Sequence, residues 1–210
     1  MKKSVIIFLC FVLLLSFVGC NNTEKQNELA REYLNKVLEK EQNFTYKCLV
    51  FNKVTDENLQ EFVFNTESRA LNPFIPHGYA YLDFDRDGVE ELLVVDATIS
   101  YFLILRYDGE KVVGYMLDVN IDLQNVKTNG TFLKVSYIYD NFKIVGKDFY
   151  VCEVEFDGLD FRINTLASQN QEDNIYKIGN QSATKDEVEV YINNWKNNTT
   201  QIEWCTIAVN

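Results

Sequence analysis

The densest chemistry in the chain lies in Asp83-Phe84-Asp85-Arg86-Asp87-Gly88-Val89-Glu90-Glu91, where side-chain oxygens recur at loop positions 1, 3, 5 and 9. Alternate residues of a tight loop can turn their carboxylates toward one centre. A hard cation such as Ca²⁺ takes about six to eight oxygens at roughly 2.3–2.6 Å, and the Val89 carbonyl at position 7 would add one. Gly88 at position 6 permits the sharp turn this requires. Carboxylates crowded this closely repel one another, so the loop is expected to hold a cation. Its ligands would be Asp83, Asp85, Asp87, Val89 and Glu91. The bland alternative is an acidic hairpin loop that is merely solvated. A cation here is expected to be structural, pinning two strands, because acids and water fill the open positions. The loop is not an EF-hand, which would need an aliphatic at position 8 and an acid at position 12, where the chain has Glu90 and Val94.

Other chemistries find less support. His77 is the only histidine and sits between Pro76 and Gly78, so any Ser-His-Asp or Cys-His arrangement would depend wholly on it. No G-x-S-x-G, no G-x-x-x-x-G-K-[ST] and no G-x-G-x-x-G occurs, and no catalytic residue is nominated. Carboxylate pairs for glycoside hydrolysis stay open, but acids are too abundant for the pattern to single out a pair. The 12 Tyr and 15 Phe could line a carbohydrate- or peptide-binding face, or simply cover sheets. Cys48, Cys152 and Cys205 form no C-x-x-C pair and read as small strand hydrophobes sooner than as a disulfide.

The elements that would position the loop are legible from periodicity. Ala30, Tyr33, Leu34, Val37 and Leu38 make one stripe of a helix beginning near Thr23. Tyr79–Phe84, Leu92–Val95, Tyr101–Tyr107, Val112–Leu117, Phe132–Tyr139 and Phe149–Phe156 read as strands, and Cys48–Phe51 as another. The runs at 92–95 and 101–105 are apolar without alternation, which predicts central strands covered on both faces, with the helices as one cover. Asp108-Gly109 predicts a hairpin, and Asn129-Gly130 and Asp157-Gly158 predict turns. The stretch 66–78, holding Pro73 and Pro76, reads as a loop. Thr184 and Glu187 fit a capping box ahead of Val188, Tyr191, Ile192 and Trp195, and 201–209 reads as a closing strand or packed tail. Together these predict an α+β fold: an antiparallel, meandering sheet of about six or seven strands packed with an N-terminal and a C-terminal helix. A partial propeller-like sheet is the alternative.

The first nineteen residues read as a targeting segment. Lys2 and Lys3 precede an apolar run from Val5 to Val18, too short to span about 30 Å of hydrocarbon but suited to a signal peptide. The run ends at Phe17-Val18-Gly19-Cys20, which resembles the lipobox of bacterial lipoproteins, with Phe17 where Leu is usual. This implies cleavage before Cys20 and its lipidation, an anchor of two or three chains at the outer face of a membrane. The expected organisation is a signal peptide over 1–19, lipidated Cys20 and a linker over 20–22, and a single α+β domain over 23–210. Loss of Lys2 and Lys3 takes the formal charge from −11 to −13, which disfavours nucleic acid as a partner.

The loop in its setting, strand–DxDxDGxxE–strand, resembles the calcium loops of FG-GAP and VCBS-type repeats. It is more similar to a block of small lipoproteins of low-GC Gram-positive bacteria, running here from Tyr79 to Leu93. The Tyr107-Asp108-Gly109 hairpin and the Tyr176–Asn180 strand-turn before Thr184 are similar as well. The resemblance implies Asp83, Asp85, Asp87 and Glu91 as ligands, a fold neighbourhood and a lipoprotein, but no activity. Arg86 departs from the usual small or polar residue and is expected to point outward. The function expected is an extracytoplasmic, Ca²⁺-stabilised lipoprotein that binds an envelope or extracellular ligand. The alternatives are a membrane-tethered hydrolase using carboxylates, and a purely structural or inhibitory lipoprotein.

Overall fold

The computed structural model describes residues 23–48, 53–59, 62–65, 71–97, 101–118, 121–140, 143–171, 173–198, 200 and 202–207. The leader, Cys20 and the run Leu49–Phe51 lie outside them. The fold is α+β, with a seven-stranded and almost wholly antiparallel sheet and a helix at either end of the chain.

Helix α1 covers 23–38. It is followed by β1 (Phe44–Cys48), β2 (Lys53–Glu57), β3 (Val63–Asn65), β4 (Leu71–Pro73), β5 (Pro76–Leu82), β6 (Glu91–Asp96), β7 (Tyr101–Tyr107) and β8 (Val112–Asp118). Then come β9 (Ile121–Val126), β10 (Phe132–Asp140), β11 (Lys143–Asp157), β12 (Asp160–Asn170), β13 (Ile175–Ile178), β14 (Gln181–Ser182), α2 (Lys185–Asn198) and β15 (Cys205–Thr206). The first sheet has the order β15-β5-β6-β7-β8-β1-β2, with β1 and β8 its one parallel pair. The meander β14-β13-β12-β11-β10-β9 forms a second sheet, and β3 and β4 a short ribbon. The stretch expected as a loop thus contains two strand segments. Pro76 is tolerated as the first residue of β5, where the missing N–H costs least.

The unbroken apolar runs become central strands because each feeds two cores. Leu93, Val95, Phe102 and Ile104 pack in one cluster with Phe132, Cys152 and Val154 of the second sheet. Their neighbours Leu92, Val94, Leu103 and Leu105 point the other way, onto Leu34 and Val37 of α1. Helix α2 covers the far face of the second sheet instead, through Val188, Ile192 and Trp195 against Leu133, Val135, Val151 and Ala167. The layers are therefore α1, first sheet, second sheet, α2. The capping box is in place: the Glu187 N–H donates to Thr184 Oγ1 at 3.3 Å, and Glu187 Oε2 accepts from the Thr184 N–H at 2.7 Å. Among the described residues no helix is long and apolar enough to cross a membrane. Cys152 is buried and Cys205 is exposed, and among the described residues neither forms a disulfide.

Candidate cation site

The segment 83–90 joins β5 to β6, and the register Leu82↔Glu91 closes its mouth. Glu91 shares the strand parity of Leu93 and Val95, so its side chain enters the rim of the core between the sheets. That side chain is fully buried. Its Oε2 accepts from the Phe84 N–H at 2.8 Å, spanning the loop, while Oε1 accepts no hydrogen bond among the described residues. Asp83 Oδ2 accepts from the Gly88 N–H at 3.0 Å, and Asp83 Oδ1 is likewise buried without a hydrogen-bond partner among the described residues. Asp85 Oδ1 accepts from the Asp87 N–H at 3.3 Å. One carboxylate oxygen from each of Asp83, Asp85 and Glu91 lies within 4.8 Å of the others.

Three of the five expected ligands are thus gathered. Asp87 is not among them: its Oδ1 accepts from the Val89 N–H at 2.8 Å, and its Oδ2 lies 2.8 Å from Arg106 Nη2. Val89 occupies the loop beside it. Arg86 points away from the carboxylates, as expected. It has φ +63°, its Nε donates to the Asn129 carbonyl at 3.1 Å, and its Nη2 meets Glu153 at 3.1 Å. His77 is exposed on β5 and is not one of the converging group.

Sequence reasoning missed Arg106. Its Nη2 lies 3.1 Å from Asp85 Oδ2, and its Nε lies 3.3 Å from Glu91 Oε1, close enough for an ion pair though not aligned as a hydrogen bond. The signal was positional. Leu92 faces Leu105, which places Arg106 opposite Glu91, on the face that carries Phe102 and Ile104.

The loop is held between two supports. On one side lies α1: Asn27 Oδ1 accepts from the Glu90 N–H at 3.0 Å, Arg31 pairs with Glu90 and stacks on Tyr81, and Thr23 abuts Gly88. On the other lies the 127–131 turn, where Gly130, at φ +76°, passes under the Phe84 carbonyl. Trp195 Nε1 donates to Thr131 Oγ1 at 2.8 Å, so α2 grips the same turn.

The electrostatics follow from this packing. Burial pushes the Glu91 carboxyl up to about 8; the Phe84 N–H opposes the rise, Asp85 and Asp87 add to it, and Arg106 reduces it. Asp85 is raised as well, by burial first, against the pull of Arg106. An uncompensated carboxylate in such a place is costly unless it takes up a proton or a cation. The donor set, all carboxylate oxygen, suits a hard divalent ion and not a soft metal. Comparisons with protein-family models, with curated proteins and with solved structures found no match.

Proposed function

We propose that the chain is a lipid-anchored envelope protein in which loop 83–91 holds a divalent cation of the Ca²⁺ type, and whose outer surface binds an envelope or extracellular ligand. The observation that carries the cation is the pair of buried oxygens, Asp83 Oδ1 and Glu91 Oε1, which have no hydrogen bond among the described residues and belong to a group of three converging carboxylates. Such atoms are costly to leave unmatched, and an ion coordinated by them would remove that cost. The ion's role would be structural, because the loop is where α1, the first sheet and the 127–131 turn meet. The hydrolase alternative calls for acids of raised proton affinity in a cleft of their own. Among the described residues the raised carboxyls are Asp85 and Glu91, both in the loop. The binding-module reading draws on Ile144 and Val145, adjacent and both more than half exposed near the β10–β11 turn.

The lipid anchor rests on the Lys2-Lys3 start, the apolar run and Gly19-Cys20. Intact mass of the mature protein tests it. An acylated N-terminal Cys20, absent in Cys20→Ser, supports it, and an unmodified terminus overturns it. Thermal unfolding of the metal-stripped chain tests the cation. A site of about 10 μM affinity at 1 mM Ca²⁺ adds roughly 2.7 kcal/mol, a rise of about 5–11 °C for a chain this size. That rise, lost in Asp85→Ala, is the expected result. No shift leaves 83–91 a self-neutralised acidic turn.

A further inference from the structure

Arg106 is a cation that the fold itself supplies to the loop. Its guanidinium lies 3.1 Å from Asp85, 2.8 Å from Asp87 and 3.3 Å from Glu91, so three of the four carboxylates expected as ligands share one positive charge. The Phe156 ring of the second sheet, 5.3 Å from the guanidinium carbon, backs it. The oxygens of Asp85 and Glu91 that it faces belong to residues whose carboxylates converge with Asp83. A divalent ion and a guanidinium cannot share those oxygens, because like charges at this range repel strongly in a half-buried site.

We propose that Arg106 is a tethered competitor, which a divalent cation displaces from Asp85 and Glu91 and which thereby sets the affinity of the loop. This rests on the cation reading of 83–91. The arrangement accounts for Asp87, which stands outside the converging group and pairs with Arg106 instead. The displaced guanidinium keeps Asp87, and beside it lies a cavity of about 400 Å³ lined by Gln26, Tyr107 and Asp108. A second carboxylate, Asp108, waits there. A monovalent ion brings no more charge than the guanidinium it would replace, so the exchange selects for a divalent one. Arg106 is in this sense a specificity-determining residue and not itself a ligand.

The test is calorimetric titration of CaCl₂ into the full chain, metal-stripped in detergent, as wild type, Arg106→Gln and Arg106→Lys. Arg106→Gln is expected to bind at least about tenfold tighter, and Arg106→Lys, which keeps the charge, to stay near wild type. Equal or weaker binding by Arg106→Gln overturns the proposal. Should that variant fail to fold without metal, the Arg106 Nε–H resonance of the wild type decides. The resonance moves on calcium saturation if the guanidinium is displaced, and an unmoved resonance overturns the proposal. Tight binding by Arg106→Gln with none by wild type supports competition while removing the cation reading for the native chain. No binding by any variant overturns both.

Discussion

Glu91 of β6 and Arg106 of β7 face each other at the rim of the core between the sheets, the carboxylate fully buried and the guanidinium partly open, with Nε 3.3 Å from Oε1. The contact is not aligned as a hydrogen bond, so Glu91 Oε1 lacks a hydrogen-bond partner among the described residues. Glu91→Gln keeps an oxygen for the Phe84 N–H and removes the ionisation. The metal-free variant is expected to melt at or above the wild type near pH 8 and to show no rise with calcium. A lower melting temperature without metal would mean that the ion pair with Arg106 outweighs the burial of the charge.

The same burial gives a pH dependence of definite sign. Folded Glu91 keeps its proton up to about 8, whereas an ordinary glutamate releases it near 4.5. Between those values the metal-free native state binds more protons than the unfolded chain. Its stability from this group is full below 4.5 and is lost as the pH rises through 8. Calcium bound as proposed would hold Glu91 ionised and carry no such loss. Melting curves with and without calcium, in unit steps between about pH 5 and 8, should therefore diverge with rising pH. A calcium increment that stays constant across this window would remove Glu91 from the ligands.

The two helices carry their stripes in sequence, and Ala30, Leu34 and Val37 of α1 are all fully buried as the period requires. The runs of β6 and β7 announced two-sided cover, although α2 proved to cover the second sheet and not these strands. The loop was legible because its carboxylates are neighbours in the chain. Strands β9 and β12 are not legible: β12 is buried only at Ala167, Ser168 and Gln169, and its apolar Phe161, Ile163 and Leu166 are only partly covered and keep no strict alternation. Arg106 and its capture of Asp87 were out of reach. They depend on the pairing of Leu92 with Leu105, a register that no local pattern states.

Helix α2 offers a prediction independent of the metal. Thr184 is the N-cap, and its replacement by Ala should cost about 1 kcal/mol, a fall of roughly 2–4 °C in melting temperature. Hydrogen bonds from the Thr184 N–H and hydroxyl hold the Glu187 carboxyl below its ordinary value of 4.5. Its contribution is thus present above that pH and lost as the pH falls through the lowered value. Glu187→Gln should flatten the acid limb of the stability curve and leave the calcium increment unchanged. A reduced increment would tie α2 to the loop more tightly than Trp195 and Thr131 alone suggest.

Gly130 and Gly158 separate backbone strain from contact with the loop. Both have positive φ, at +76° and +60°. A Cβ on Gly158 meets nothing within 4 Å, whereas one on Gly130 would stand 2.5 Å from the Phe84 carbonyl oxygen and 3.0 Å from that of Asp83. Gly158→Ala should cost only the left-handed backbone, about 1 kcal/mol. Gly130→Ala adds a clash with backbone that cannot swing aside, and should cost about 2–4 kcal/mol in all. Because that clash pushes on Asp83 and Phe84, Gly130→Ala should also weaken calcium binding, while Gly158→Ala leaves it as in the wild type. Equal calcium affinity in both variants would show that the loop holds its geometry without the 127–131 turn, and that α1 and the β5–β6 pairing suffice to bring the carboxylates together.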